Sequence, residues 1–111
     1  MTLPEDVKQR DRKAIEASGF VVLVVHANFE DDELGQYHYR VARELQKPVY
    51  VLAEPSADIP NDPLVKHVER LLFRLPRGRE PDNWEAVQIR RTMTALQQRA
   101  QKDLQQPPQG G

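Results

Sequence analysis

The densest run of reactive side chains in the sequence is Glu30-Asp31-Asp32-Glu33. Carboxylates that share a cleft can divide nucleophilic and general-acid work between them. Read as plain surface, the same run is the solvated start of a helix, where anions meet the positive end of the helix dipole. His26, Asn28, Tyr37 and His38 flank it and offer hydrogen-bonding groups to a polar ligand; as surface they are ordinary loop and helix residues. None of His26, His38 and His67 forms a His-x-x-x-His or Glu-x-x-His pair, so no metal site is expected. Arg74, Arg77 and Arg79 make a local basic patch suited to a phosphate. No aromatic residues interleave with these arginines for base stacking, and Trp84 reads as a packing anchor, so nucleic acid is not an expected partner. Walker, G-x-S-x-G and G-x-G-x-x-G patterns are absent, and no cofactor is called for.

These groups need elements to hold them. Residues 3–18 read as a helix with Pro4 near its start, acids in the first turn, and Val7, Ala14 and Ile15 on one stripe; Gly19 follows in the C′ place. Phe20-Val21-Val22-Leu23-Val24-Val25 is continuous, β-branched and apolar, the pattern of a strand covered on both faces. After a polar loop at 26–33, a helix runs to about Gln46 on a stripe of Leu34, Tyr37, Val41 and Leu45. Pro48 ends it and Val49-Tyr50-Val51-Leu52 is a second strand. Residues 54–61 read as loop, and Asp62-Pro63 as the cap of a brief helix carrying Leu64 and Val68. Leu71-Leu72-Phe73 reads as a third strand, closed by Pro76 and Gly78. Asp82 and Glu85 have the spacing of a capping box before a long helix with the stripe Ile89, Met93, Leu96, Ala100 and Leu104.

Helices alternating with short strands argue for an α/β fold: a small three-layer Rossmann-like domain with a short parallel sheet of three or four strands. One domain is expected over residues 1–104, with a Gln/Pro/Gly-rich, disordered tail at 105–111. Ligands of such sheets bind beyond the carboxyl ends of the strands, which here means residues 26–33, 53–61 and 76–82.

Composition bounds the possibilities. The chain has 111 residues, 39% hydrophobic and 30% charged, a length for one domain with a thin core. With no cysteine, a disulfide framework, a zinc finger and a cysteine nucleophile are excluded. No apolar run approaches the roughly 20 residues that span a bilayer, and the first residues lack the features of a signal peptide; a cytoplasmic protein with no membrane partner is expected. Net charge is −1, but residues 1–65 hold 7 Lys and Arg against 12 Asp and Glu, and residues 66–111 hold 9 against 5. That polarity suits a homo-oligomer as well as an ordinary solvated surface. The long last helix and a thin core with uncovered sheet edges point the same way, so a homo-oligomer is expected.

Two stretches carry a family resemblance. Asp11-Arg12-Lys13-Ala14-Ile15-Glu16-Ala17-Ser18 with the valine-rich strand resembles the D-x-x-A-I-x-x-S-D-strand opening of nucleoside 2-deoxyribosyltransferase-like proteins. Val41-Ala42-Arg43-Glu44-Leu45-Gln46-Lys47-Pro48-Val49 resembles their G-x-A-x-x-L-G-K-P-V passage from helix to strand. TIR-type NAD-cleaving domains share a related Rossmann-like layout. The resemblance spans residues 11–53 and implies a nucleoside or nucleotide ligand.

The family nucleophile is a glutamate in a G-T-x-x-E-x-G segment. Aligned without gaps from Lys47-Pro48-Val49, His38 falls at its position, which implies a lost nucleophile. Aligned on Glu33-Leu34-Gly35, Glu33 takes that place at the cost of extra residues in the helix. The chain also opens on a helix, where family members open on a strand with a glycine-containing loop.

The resemblance therefore implies a nucleotide- or nucleoside-binding protein lacking transferase chemistry, with His26, Asn28, Tyr37, His38 and Arg77 around the ligand. One alternative is an active N-glycosidase or deoxyribosyltransferase in which Glu33 attacks the anomeric carbon and Asp31 or Asp32 protonates the departing base. A third, of a different class, is a non-catalytic oligomeric interaction module.

Overall fold

The computed structural model describes residues 3–105. Its elements are helix α1 (Glu5–Ala17), strand β1 (Val21–Val25), a 3-10 turn (Phe29–Asp31), helix α2 (Glu33–Glu44), strands β2 (Val49–Ala53) and β3 (Val65–Arg70), and helix α3 (Asn83–Gln105). The strands form one sheet in the order β1-β2-β3, all parallel, with Val21 opposite Val49 and Val25 opposite Ala53. This is a small Rossmann-like α/β fold, and the valine-rich and Lys-Pro-Val segments lie side by side in it.

β2 is buried along its whole length. A strand flanked by strands and covered on both faces has no polar side to show, hence its unbroken apolar run. Val21, Leu23 and Val25 with Val49, Val51 and Ala53 face α1 and α2 through Ile15, Val41 and Ala42. Tyr50 and Leu52 face the other way, toward Leu96 and Ala100 of α3. The long helix is joined there by Ile89 and Met93 from the expected stripe, whereas Leu104 is 51% exposed. In α1, Ile15 is buried and Ala14 is exposed.

The capping box forms as expected: Glu85 N donates to Asp82 Oδ1 at 2.8 Å and Asp82 N to Glu85 Oε1 at 3.0 Å. The expected tail lies outside the described residues except for Gln105, which ends α3. No helix among the described residues is long and apolar enough to cross a membrane.

The segment after β2 corrects the sequence expectation. No helix forms at Leu64 and Val68, and Leu71-Leu72-Phe73 is not a strand; the third strand is Val65–Arg70. Asp62 instead makes a turn, its Oδ1 accepting from Leu64 N at 2.9 Å and its carbonyl from Val65 N at 3.0 Å. The pairing then slips by one residue, Val49 meeting Val65 and Tyr50 meeting His67. That bulge at Lys66 turns Val65 and Val68, three apart, onto the same core face. Alternation is broken, and the spacing mimics a helix.

The connection from β2 to β3 is thus a loop, and Ala57, Ile59 and Leu64 cover the sheet where a crossover helix would. It lies on the same face as α2, the arrangement expected of two right-handed crossovers running in one direction. α2 clasps it: Tyr39 Oη donates to Asp62 Oδ2 at 2.7 Å, and Arg43 Nε lies 3.3 Å from the same oxygen. Burial first, then Asp62, push the Tyr39 phenol up to about 12.

Gly19 does follow the α1 C-cap, Ser18, but it avoids the left-handed region. A Cβ there would come within 2.9 Å of Leu104 Cδ1, the tip of a half-exposed side chain that can move aside. A left-handed residue does follow the C-cap of α2, Gln46 at φ 55°, where the resembling pattern has glycine.

Candidate functional site

Because the strands are parallel, their carboxyl ends share one edge, and three loops meet there. The residue that ties them together is Glu54, the first polar residue after β2 and only 1% exposed. Its Oε1 accepts from Ala27 N in the loop after β1 at 2.7 Å, and its Oε2 from Leu75 N in the segment after β3 at 2.6 Å. Hydrogen bonds to a charged acceptor contribute about 1.5–3 kcal/mol each. Arg70, at the end of β3, adds a second knot: its Nη1 donates to the carbonyls of Glu54, Pro55 and Ala57 at 3.0–3.1 Å.

Two further groups approach the Glu54 carboxylate, His26 Nδ1 at 3.8 Å and Arg77 Nη2 at 3.7 Å from Oε1. Burial pushes the Glu54 carboxyl up, but the Ala27 and Leu75 amides, with His26 and Arg77, outweigh it and hold the group below the usual carboxylate range. An anion is thereby fixed beneath the strand ends. His26 Nδ1 is itself buried and has no hydrogen-bond partner among the described residues.

Above this floor is an open cleft of about 430 Å³, lined by His26, Asn28, Asp31, Asp32 and Arg77. His26, Asn28, Asp31 and Arg77 are four of the residues singled out from the sequence, and the fold brings them together. Asp32 caps α2, its Oδ1 accepting from Gly35 N at 3.0 Å. Gly35 must be small there: a Cβ would fall 2.5 Å from Asp32 Oδ2 and 2.8 Å from Phe29 Cε1.

Three other residues singled out from the sequence lie elsewhere. Glu33 and Tyr37 line a separate cleft of about 440 Å³ with Lys8, Glu30, Gln36 and Arg40, and Tyr37 Oη donates to Lys8 O at 3.0 Å. His38 faces α1, its Nε2 2.8 Å from Asp11 Oδ2. The His38 hydrogen bond leads the contacts that hold the Asp11 carboxyl below its usual range. Glu33 and His38 therefore do not share a pocket, and neither joins His26.

The basic patch is also divided. Arg79 is engaged by Glu85 in a bidentate pair at 2.7 and 2.9 Å, while Arg77 borders the cleft. Trp84 packs on Phe73 with ring centroids 5.1 Å apart and stays 54% exposed. Among the described residues no group of three or more His, Asp or Glu is gathered to hold a metal ion.

Sequence reasoning missed Glu54 and Arg70. The signal for Glu54 was its place, the first charged residue after the most buried strand, at the edge where ligands of parallel sheets bind. Chemically the cleft offers carboxylate and amide acceptors, an imidazole and one guanidinium over a fixed buried anion, a set that suits sugar hydroxyls together with a phosphate.

Compared with protein-family models, with curated proteins and with solved structures, the chain matches none. What the fold and cleft define is a class: a small Rossmann-like α/β domain with a polar cleft at the carboxyl edge of its sheet.

Proposed function

We propose that the cleft above Glu54 binds a nucleoside or nucleotide, and that the chain is a ligand-binding protein without transferase chemistry. The observation that carries this reading is the convergence of His26, Asn28, Asp31 and Arg77 on one cleft at the carboxyl edge of a parallel sheet, with His26 and Arg77 also beside the buried Glu54 carboxylate. Asp31 and Asn28 accept from and donate to ribose hydroxyls, Arg77 takes a phosphate, and His26 hydrogen-bonds the base or sugar through the Nε2 side of its ring. The resemblance over residues 11–53 supports the ligand class.

The absence of transfer is supported by the separation of the carboxylates that the chemistry would pair. Glu33 lines one cleft and Asp31 another, while His38, at the family nucleophile's position in the gapless register, is engaged with Asp11.

Calorimetry and thermal shift with deoxynucleosides, nucleoside monophosphates and NAD test the reading. A ligand at 100 times its Kd stabilises the fold by about 2.7 kcal/mol. Arg77→Ala should weaken nucleotides far more than nucleosides, and no free base should appear on chromatography. Base release that disappears in Glu33→Gln would establish the N-glycosidase alternative instead; no binding by any of these ligands would remove the proposal.

A further inference from the structure

The two edges of the sheet differ in how they are guarded. β3 carries Lys66, His67, Glu69 and Arg70 and is bulged at Lys66, devices that keep an edge strand from recruiting another. β1 has neither: Val21–Val25 is wholly apolar, free of proline, and in regular register with β2. Val21 N donates to Pro48 O at 2.9 Å and Val25 O accepts from Glu54 N at 3.0 Å, so the odd-numbered residues of β1 bond toward β2. The alternation of a parallel ladder then turns the N–H and C=O groups of Val22 and Val24 outward. Among the described residues no strand pairs with them.

A groove of about 280 Å³ borders that strand, lined by Ala14, Ile15, Phe20, Val21 and Val22 with Asp11, Ser18 and His38. Its polar side chains are already engaged within the chain, His38 with Asp11 at 2.8 Å and Ser18 Oγ with the Ala14 carbonyl at 2.7 Å. The edge thus presents backbone donors and acceptors between apolar side chains and no unpaired charge. Its complement is an extended, uncharged strand.

We infer that this edge pairs with β1 of a second copy of the chain, antiparallel about a twofold axis, so that one sheet runs through both copies. Charge selects this occupant among the strands of the protein. Pairing β1 with β3 of another copy would set Lys66, Glu69 and Arg70 against valines, whereas β1 against itself brings no charge into the ladder. A twofold at Leu23 places Val22 opposite Val24 of the second copy, and both residues have the outward donor and acceptor that such a hydrogen-bonded pair uses.

The test combines mass with residue-specific exchange on the intact chain. Sedimentation or light scattering from micromolar to millimolar should show monomer passing to dimer. Over the same range the amides of Val22 and Val24 should slow by about tenfold or more, while those of Val21, Leu23 and Val25 stay protected throughout. Ala14 is exposed on α1, so Ala14→Lys should keep the fold and its melting temperature, abolish the dimer, and leave Val22 and Val24 exchanging rapidly at every concentration. A chain that stays monomeric at all concentrations would leave the edge to a strand from another protein and overturn the inference. So would a dimer that leaves exchange at Val22 and Val24 unchanged, or one that survives Ala14→Lys.

Discussion

Two sets of carboxylates stand near the carboxyl ends of the strands, and they behave in opposite ways. Residues 30–33 are four acids in a row, three of them exposed; the fourth, Asp32, caps α2. Glu54 is a lone acid, buried, with two backbone amides from different loops on its two oxygens. The contrast shows that members of a charge run can remain solvated or cap a helix, whereas a single acid placed after a buried strand can tie separate loops together. A carboxylate in water keeps its hydration and gains little from neighbours; a buried one persists only if its acceptors are satisfied, so the loops that satisfy it are held in place.

Substitution sharpens that contrast. Glu54→Gln should be the most damaging change at this edge, because the side-chain amide has one oxygen for two donors and must turn its NH2 toward Ala27 N or Leu75 N. A loss of about 2–4 kcal/mol in urea unfolding is expected, and a loss below about 0.5 kcal/mol would contradict the role given to Glu54. Its titration has a definite sign. The folded pKa of Glu54 lies below its ordinary value, and that of Glu85 is lowered to about 2, by Arg79 first and then the Asp82 amide. Both contribute stability that is present above the unfolded carboxylate pKa and lost as pH falls through the folded one. Stability measured by denaturant should therefore decline from about pH 4.5 toward pH 2, and Glu85→Gln should flatten part of that decline.

Smaller effects belong to the acidic run. Gly35→Ala places a methyl group against Asp32 and Phe29 and should cost about 1–3 kcal/mol. Asp32→Ala removes the cap alone and should cost about 1 kcal/mol. If Asp32→Ala proved as costly as Glu54→Gln, the two regions would not differ in the way described.

The parts of the fold legible in the sequence are those whose pattern follows from burial or local hydrogen bonding. β1 and β2 are continuous apolar runs because both faces are covered, and the capping box of α3 is spelled by Asp82 and Glu85 at fixed spacing. β3 was hidden by its bulge, which sets Val65 and Val68 on one face at a helical interval. Within the candidate site, the loop after β1 is legible through His26 and Asn28, and Arg77 through its place beyond the last strand of the sheet. Glu54 has only its place after β2 as a signal, because no local pattern distinguishes an acid that accepts amides from distant loops from one that faces water. Tyr37 and His38 adjoin in sequence, but α2 turns Tyr37 to a cleft with Lys8 and His38 to Asp11.

The most direct measurement is an amide chemical-shift map of the chain titrated with a deoxynucleoside monophosphate. Saturable shifts at His26, Asn28, Asp31 and Arg77, with Glu33, Tyr37 and His38 unmoved, are the predicted result. Shifts centred on Glu33 and Tyr37, or none that saturate, would contradict a nucleotide site above Glu54.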